Sequence, residues 1–200
     1  MRRSKADKAT THSKILAVAA KRFRERGLNG IGVADVMKEA GSSVGGFYKH
    51  FNSRDELAVE ALAEAFKFLD RSESQAQDLS AYLDLILSDE HRDDPGGGCA
   101  LTALVTDIPN ASASVRTVYT QRAKQSLAYY INHLSGGDPH TRRTRAVLIS
   151  CAVIGGLAIS RAINDKTLSR EILEALREEV KALISLPKAR KTAVQKSKVE

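Results

Sequence analysis

Three consecutive side chains in the first quarter of the chain can bind a polyanion. Tyr48, Lys49 and His50 offer a phenol, an ammonium and an imidazole, which can hydrogen-bond phosphate oxygens or base edges. Just before them, Gly45 and Gly46 remove side chains from the start of a predicted short helix, at a cost of about 1 kcal/mol each. Because such a cost needs a compensating contact, we predict that the backbone approaches a binding partner closely here.

The charge of the chain is divided unevenly along its length, although its formal net value is only +7. Residues 1–54 carry 12 Lys/Arg against 4 Asp/Glu, residues 55–186 carry 14 against 19, and residues 187–200 carry 5 against 1. A basic head on an acidic body is typical of a nucleic-acid-binding module joined to a second domain, since phosphate contacts supply most nonspecific affinity. A merely soluble basic surface would spread the charge evenly.

A second candidate for chemistry is Cys99, which follows three glycines at a predicted helix start. The positive end of the helix dipole would favour the thiolate there, so redox or electrophile sensing through Cys99 is one hypothesis. A small buried hydrophobic residue that happens to begin a helix is the alternative. Cys151 falls in the apolar part of a predicted helix, where we expect it to be inert. Two cysteines and no signal-peptide pattern indicate the cytoplasm.

The remaining polar residues give no pattern for catalysis or metal binding. Cys99, His133 and an aspartate could be imagined as a nucleophilic triad, but no local motif surrounds them. The histidines form no i, i+4 pair and no Cys/His cluster at zinc spacing, so we expect no metal and no cofactor. The glycines at 96–98 lack the Lys-Ser/Thr that follows a phosphate-binding loop. We therefore predict that the protein is not an enzyme.

The elements that must position these residues are predicted to be helices. Few aromatic residues, no Trp and abundant Ala, Leu, Glu, Lys and Arg favour an all-α fold. Apolar periodicity, Gly or Pro breaks and two caps divide the chain into about nine helices. The caps are a capping box of Ser53 with Glu56 and a helix start at Asp138 followed by Pro139. We place them at residues 10–26, 33–40, 44–50, 53–71, 76–88, 99–107, 112–134, 140–164 and 168–186. The longest apolar stretch, residues 147–159, is expected to be too short and too interrupted to cross a membrane.

The first three of these helices have the pattern of a helix-turn-helix, whose last helix lies in the major groove of DNA. Residues 30–51 read GIGVADVMKEAGSSVGGFYKHF, with Phe23 and Gly27 before them and SRDEL after them. This sequence closely resembles the DNA-binding domain of the TetR/AcrR family of regulators over about residues 10–60. Beyond that, only the chain length and the helical organisation agree with the family.

The resemblance implies roles for individual residues of the head. Tyr48 is similar to the family's phosphate-contacting tyrosine, and Ser43, Val44 and Gly46 would face the groove. Arg54 would lie near phosphates at the start of the fourth helix, where the family usually has Lys. The predicted DNA-binding set is Ser43, Val44, Gly45, Gly46, Tyr48, Lys49, His50 and Arg54.

The chain departs from the commonest family pattern at two places. Ile31 and Gly32 stand where the family often has a Thr-Ser or Thr-Thr pair, which would contact phosphate at the start of the second helix. Ser42 stands where the turn is usually apolar, and it is expected to loosen the turn.

The resemblance also implies a body that receives a small molecule and forms a homodimer. We divide the chain into a basic disordered arm (residues 1–9), a helix-turn-helix domain (10–55), a ligand-binding and dimerisation domain (56–186) and a basic disordered tail (187–200). The candidate ligand or sensing residues mix aromatic bulk with polar tips, although each fits a plain core position as well. They are Tyr82, Cys99, Tyr119, Tyr130 and His133, with Leu83, Ile86, Leu104 and Leu127 as apolar lining.

The last two helices are predicted to form the dimer surface, because the first carries small residues and the second an apolar stripe. The same pattern fits two helices that complete the core of the body, and both interpretations stay open. The predicted function is a cytoplasmic repressor that a small-molecule effector releases from double-stranded operator DNA. The alternatives are redox or electrophile sensing through Cys99 and an architectural DNA-binding protein with little operator preference.

Overall fold

The computed structural model describes residues 5–185, with the side chains of residues 6–185, as helices joined by short turns. Within that range lie nine α-helices and two 3-10 helices. They are α1 (Lys5–Arg26), α2 (Val33–Glu39), a 3-10 helix (Val44–Lys49), α3 (Arg54–Gln75), α4 (Leu79–Ile86), α5 (Asp89–Asp93), α6 (Ala100–Ala103), a second 3-10 helix (Ile108–Asn110), α7 (Ala113–His133), α8 (Pro139–Ala162) and α9 (Lys166–Ile184). The all-α class is confirmed, and the predicted tail at 187–200 lies outside the described residues.

The head consists of α1, α2 and the 3-10 helix Val44–Lys49, packed around one apolar cluster. Gly41 adopts a φ of +71°, and the backbone amide of Ser42 donates to the Met37 carbonyl at 2.8 Å. This bond closes the turn after α2 in the way that a left-handed glycine commonly ends a helix, so Ser42 does not prevent the turn. The buried side chains at the centre of the cluster are Ile15, Ala19, Phe23, Val36, Met37, Phe47 and Phe51.

Helix α3 runs from the head into the body and packs against α1 at one end and α7 at the other. Its start has the predicted capping box, in which Ser53 Oγ accepts from the Glu56 amide at 3.1 Å. The Glu56 carboxylate reaches one residue further than expected and accepts from the Asn52 amide. The inward face is apolar throughout and buries Leu57, Ala61, Leu62, Ala65, Phe66 and Leu69.

The body ends in α8 and α9, which pack against each other, while α8 also packs against α7. A Cβ atom at Gly156 would collide with the Leu176 side chain of α9. The glycine therefore permits the close helix approach that the small residues predict. At the start of α8, the Asp138 carboxylate accepts from the Thr141 amide at 2.9 Å and Pro139 takes the first helical position, as predicted.

Polar contacts also join the head to the body. Arg24 Nε donates to the Gly96 carbonyl at 2.7 Å, and the Asp107 carboxylate accepts from the Leu28 amide at 2.8 Å. A Cβ atom at Gly96 would collide with the Glu25 carboxylate, so the glycine loop lies directly against the end of α1. The end of α1 is thus held by two separate loops of the body.

Four helices differ from the sequence prediction, and one of them, α5 (Asp89–Asp93), lies where no helix was predicted. Helix α1 begins at Lys5, so residues 5–9 are helical rather than part of an arm, since an exposed first turn needs no apolar periodicity. The third helix is a 3-10 helix, because two successive glycines are weak α-helix formers. The helix expected at 99–107 is a single turn, Ala100–Ala103, and a separate 3-10 helix containing Pro109 follows it.

Helix α8 corrects the expectation about membrane-spanning length. By length and composition this helix could cross a membrane, with a mean hydropathy of 1.5 over its most apolar 18 residues. The helix is longer than the apolar stretch recognised in the sequence because its flanking residues are helical too. Of that window, 39% is buried inside the protein, and one helix of this length and composition is weak evidence for a membrane span.

Candidate nucleic-acid interface and ligand cavity

The 3-10 helix Val44–Lys49 separates its inward and outward side chains sharply. Phe47 and Phe51 are 3% and 1% exposed, with ring centroids 5.4 Å apart. Tyr48 lies between them in sequence and is 78% exposed, while Val44 is 53% exposed. The two phenylalanines therefore anchor the helix, and the tyrosine is presented to solvent.

The space around the two glycines of this helix is open. A Cβ atom at Gly45 would meet nothing within 4 Å, and one at Gly46 would make only an ordinary contact of 3.6 Å with Ser43 Oγ. Packing within the described chain therefore does not require glycine at either position.

A groove of about 930 Å³ lies beside this helix and collects most of the predicted DNA-binding residues. Its walls come from α1, the turn after α2 and the 3-10 helix. The lining residues are Lys8, Thr11, Met37, Gly41, Ser42, Ser43, Gly46, Tyr48, Lys49 and His50. Sequence reasoning missed Lys8 and Thr11, because residues 1–9 were taken as an arm rather than as the first turns of α1. The i, i+3 spacing of these two residues was the available signal.

Val44 and Gly45 are exposed beside the groove, whereas Arg54 is turned away from it. The Arg54 guanidinium donates to the Leu28 carbonyl at 2.6 Å and to Asn29 Oδ1 at 3.1 Å. These bonds tie the start of α3 to the loop after α1. In this structure Arg54 holds the head together rather than presenting its donors at the groove.

The body contains a cavity of about 210 Å³ between α3, α4, α7 and α8, with Cys99 and Leu101 at one side. Of the predicted sensing residues, Tyr82, Cys99 and Tyr130 line it, together with Ile86 and Leu127. The full lining is Leu69, Tyr82, Ile86, Cys99, Leu101, Ala123, Ser126, Leu127, Tyr130, Val147, Ser150, Cys151, Val153 and Ile154.

The structure does not bring the other two predicted sensing residues to this cavity. Tyr119 donates its hydroxyl hydrogen to the Leu101 carbonyl at 2.7 Å and lies behind the wall. His133 is exposed at the end of α7, where its Nδ1 lies 2.8 Å from the Tyr129 carbonyl. Leu83 and Leu104 are buried in the core but do not line the cavity.

The two cysteines occupy places that their sequence contexts did not reveal. Cys99 is 4% exposed, and α6 after it is a single turn, so the helix-dipole argument for a thiolate loses its basis. Cys151, which was expected to be inert in an apolar environment, is exposed and lines the same cavity as Cys99. Helix α8 supplies this wall, and its contribution could not be read from local sequence.

His91 is a buried residue that sequence reasoning passed over. Its Nδ1 lies 2.6 Å from the Ile86 carbonyl, and its Nε2 lies 2.9 Å from the Cys99 amide. A carbonyl can only accept and an amide N–H can only donate, so the ring is neutral with its proton on Nδ1. Burial lowers the pKa of His91 to about 4, which agrees with this tautomer. The histidine therefore fixes two lining residues of the cavity.

A buried ion pair stands just behind the cavity wall. Glu73 accepts from Arg122 Nη2 at 2.7 Å and from the hydroxyl of Ser126, a lining residue, at 3.2 Å. Arg122 is 3% exposed and does not line the cavity. Each charge is therefore neutralised by its partner, and neither side chain lines the cavity.

An exposed recognition helix on a basic head, joined to an all-helical body with an apolar cavity, defines a helix-turn-helix regulator. Residues 15–61 match the profile described as bacterial regulatory proteins, tetR family. Over 168 residues the chain is 21% identical to the HTH-type transcriptional regulator LmrA of Bacillus subtilis (strain 168), a match covering 78% of this chain and 89% of that protein. Residues 15–61 are therefore a TetR-family N-terminal domain, and most of the chain is similar to a transcriptional regulator.

Solved structures show the same fold. The reduced form of E. coli NemR matches with a TM-score of 0.73 and 21% identity, covering 89% of this chain and 98% of that one. A TetR-family regulator from Cytophaga hutchinsonii matches with a TM-score of 0.74 and 17% identity, covering 93% of this chain and all of that one. At these identities the likeness establishes the fold of head and body together.

Proposed function

We propose that this protein is a homodimeric repressor that binds a pseudo-palindromic operator through the head groove. The observation that carries the proposal is the exposed Tyr48–Lys49 pair beside two glycines that packing does not require. Side chains and backbone amides arranged in this way can contact phosphates and base edges in the major groove. The proposed contact set is Ser43, Val44, Gly45, Gly46, Tyr48, Lys49 and His50, with Lys8 and Thr11 added and Arg54 as a positioning residue.

The outer faces of α8 and α9 support the homodimer. Leu148 and Ile159 of α8 are 54% and 53% exposed, and Leu168 at the start of α9 is 43% exposed. The inner faces of the same helices already pack in the core of the body. Exposed apolar side chains on two adjacent helices are suited to a protein interface, and a second copy would cover them symmetrically.

A small molecule in the cavity would act by favouring one spacing of the two heads over another. The cavity lies beside the glycine loop that holds the end of α1, so its occupancy can bias the head position. Physically the ligand needs only a higher affinity for the arrangement that does not fit the operator. We place head and body at residues 10–55 and 56–186, and we propose a cytoplasmic regulator rather than an enzyme.

The test is binding of the purified protein to the DNA flanking its own gene, across a salt series and with nonspecific competitor. Tyr48→Ala should weaken binding about tenfold or more, since each head of the dimer loses one contact. Lys124→Ala, on the exposed face of α7 far from the groove, is the matched control and should leave binding unchanged. Binding no tighter than to random DNA, and indifferent to Tyr48→Ala, would instead favour the architectural alternative.

A second candidate mode of regulation is chemical modification of a thiol. Cys99 and Cys151 line one cavity, and the NemR structure with the same fold is described as a reduced form. N-ethylmaleimide would form a bond between sulfur and ring carbon while the thiol proton passes to the adjacent carbon. If a thiol is the sensor, treatment should release operator DNA from the wild type but not from the responsible Cys99→Ser or Cys151→Ser variant. Release from both single variants would exclude a single sensing thiol.

A further inference from the structure

The size of the cavity limits what can enter it. At about 210 Å³ it is smaller than the sites of drug-sized molecules, which span roughly 300–1,000 Å³. An engineered apolar cavity of about 150 Å³ in another protein holds benzene. The cavity therefore fits one six-membered ring with a few further atoms, or one fused ring pair. Val147 and Cys151 are exposed lining residues, so the cavity reaches the surface between α7 and α8.

The lining also limits the charge of the occupant. None of the 14 described lining side chains is Lys, Arg, Asp, Glu or His. The Glu73 carboxylate, which contacts the lining residue Ser126, is paired with Arg122 at 2.7 Å. A charged ligand would lose its hydration without gaining a counter-ion, which is strongly unfavourable.

Hydrogen-bond donors and aromatic faces are both present on one wall. The rings of Tyr82 and Tyr130 meet edge to face with centroids 6.0 Å apart, and Tyr129 packs against both. Burial raises the pKa of Tyr82 and of Tyr130, so both phenols keep their protons near neutral pH. The lining serines are already committed, because Ser126 donates to Glu73 and Ser150 donates to the Ala146 carbonyl. The hydroxyls of Tyr82 and Tyr130 are hydrogen-bonded to each other, so one hydroxyl donor of the pair remains for an occupant.

We infer that the cavity binds a small neutral aromatic molecule of one ring or one fused ring pair that carries a single hydrogen-bonding group. This inference rests on the proposed function only in taking the same cavity as the effector site. The aromatic wall supplies edge-to-face and offset contacts, and the phenol hydroxyls select a ligand with one acceptor.

Four matched probes test each part of this inference by calorimetry on the full-length protein. They are p-cresol, toluene without the hydroxyl, 4-methylbenzoate with a charge, and 4-methylcyclohexanol without the aromatic ring. We expect p-cresol to bind most tightly and toluene about tenfold more weakly. 4-Methylcyclohexanol should bind about fivefold more weakly than p-cresol, and 4-methylbenzoate about a hundredfold more weakly.

Variants locate the binding in the cavity. Ala123→Phe fills the cavity and should abolish p-cresol binding, whereas Ala128→Phe on the exposed face of the same helix should not. Tyr82→Phe and Tyr130→Phe keep both rings. At least one of them should weaken p-cresol binding about tenfold while leaving toluene binding unchanged.

Three results would overturn the inference: equal affinity for p-cresol and 4-methylbenzoate, binding that survives Ala123→Phe, and no binding of any neutral aromatic probe. Operator binding is measured on the same preparation. If the protein binds the operator but no aromatic probe, this inference alone is contradicted. If it binds an aromatic probe but not the operator, the proposed function alone is contradicted.

Discussion

The head groove and the body cavity differ in size, in the charge of their lining and in their exposure to water. The groove has a volume of about 930 Å³ and is lined by lysines, hydroxyls and glycine backbone that remain in contact with water. The cavity has a volume of about 210 Å³ and is lined by uncharged side chains from several helices. Contacts in the groove depend on charge, whereas contacts in the cavity depend on the removal of apolar surface from water.

The two regions also differ in how their residues are assembled. Most of the groove comes from residues 37–50, held by one turn and two buried phenylalanines. The cavity takes residues from position 69 to position 154, so it exists only after five α-helices have packed. We therefore expect substitution of single exposed side chains to change binding in the groove. Binding in the cavity should instead depend on helix packing and on the protonation of the groups behind the wall.

The largest expected difference between the two regions is the effect of salt concentration on their binding affinities. If each dimer makes six or more phosphate contacts, operator affinity should fall about a thousandfold between about 50 and 200 mM salt. Affinity of the cavity for p-cresol should change less than about twofold, because no charge is paired on binding. Parallel titrations of both ligands on one preparation measure the contrast. A salt dependence of p-cresol binding as steep as that of the operator would contradict the division.

Alanine variants of Phe47 and Tyr48 should distinguish a residue that stabilises the head from a residue that contacts DNA. Phe47→Ala removes a buried ring and should lower the free energy of unfolding by about 3–5 kcal/mol. Tyr48→Ala removes an exposed ring and should change it by less than about 0.5 kcal/mol while still impairing operator binding. Chemical denaturation of both variants gives these values. A large loss of stability in Tyr48→Ala would mean that its effect on DNA binding is indirect.

His91 should make the body, rather than the head groove, sensitive to acid. Because its pKa is about 4 in the folded protein and about 6.5 in an unfolded chain, the unfolded state binds the extra proton first. Stability is therefore intact above pH 6.5 and should fall by about 3 kcal/mol as the pH drops towards 4.

The measurement for His91 is the urea midpoint of the wild type and of two matched variants between pH 7 and 4. His91→Gln should lose less stability on acidification than the wild type, since glutamine does not titrate. His140→Gln, which replaces an exposed histidine, should follow the wild type. An identical acid response in all three proteins would exclude His91 as the cause.

Arg54 should show the smallest effect and refine the boundary of the groove. Arg54→Ala should lower the free energy of unfolding by about 1 kcal/mol, because carbonyls of the loop after α1 lose their donors. The salt dependence of operator binding should be unchanged in this variant, whereas Lys49→Ala should reduce its log–log slope by about 1 per head. A smaller slope of log affinity against log salt concentration in Arg54→Ala would mean that Arg54 contacts a phosphate.

Features that depend on residues close together in the sequence could be predicted, whereas features that depend on residues far apart in the sequence could not. The helix caps at Ser53 and Asp138, the turn at Gly41 and the close approach at Gly156 were readable because each depends on neighbouring residues or on one small side chain. Boundaries failed where an exposed turn carries no apolar periodicity, as at the start of α1, and where glycine content overrode periodicity, as in the 3-10 helix Val44–Lys49.

The sequence by itself determined the all-helical fold, the family of the head and the helix that exposes Val44, Tyr48 and Lys49, because consecutive residues and their period encode them. Only the tertiary structure decided which side chains share the cavity. It placed Cys99 and Cys151 on the lining of one cavity, left Tyr119 and His133 outside that lining, and bonded Arg54 to the loop after α1. Those outcomes depend on how distant helices meet, and no local pattern in the chain specifies that.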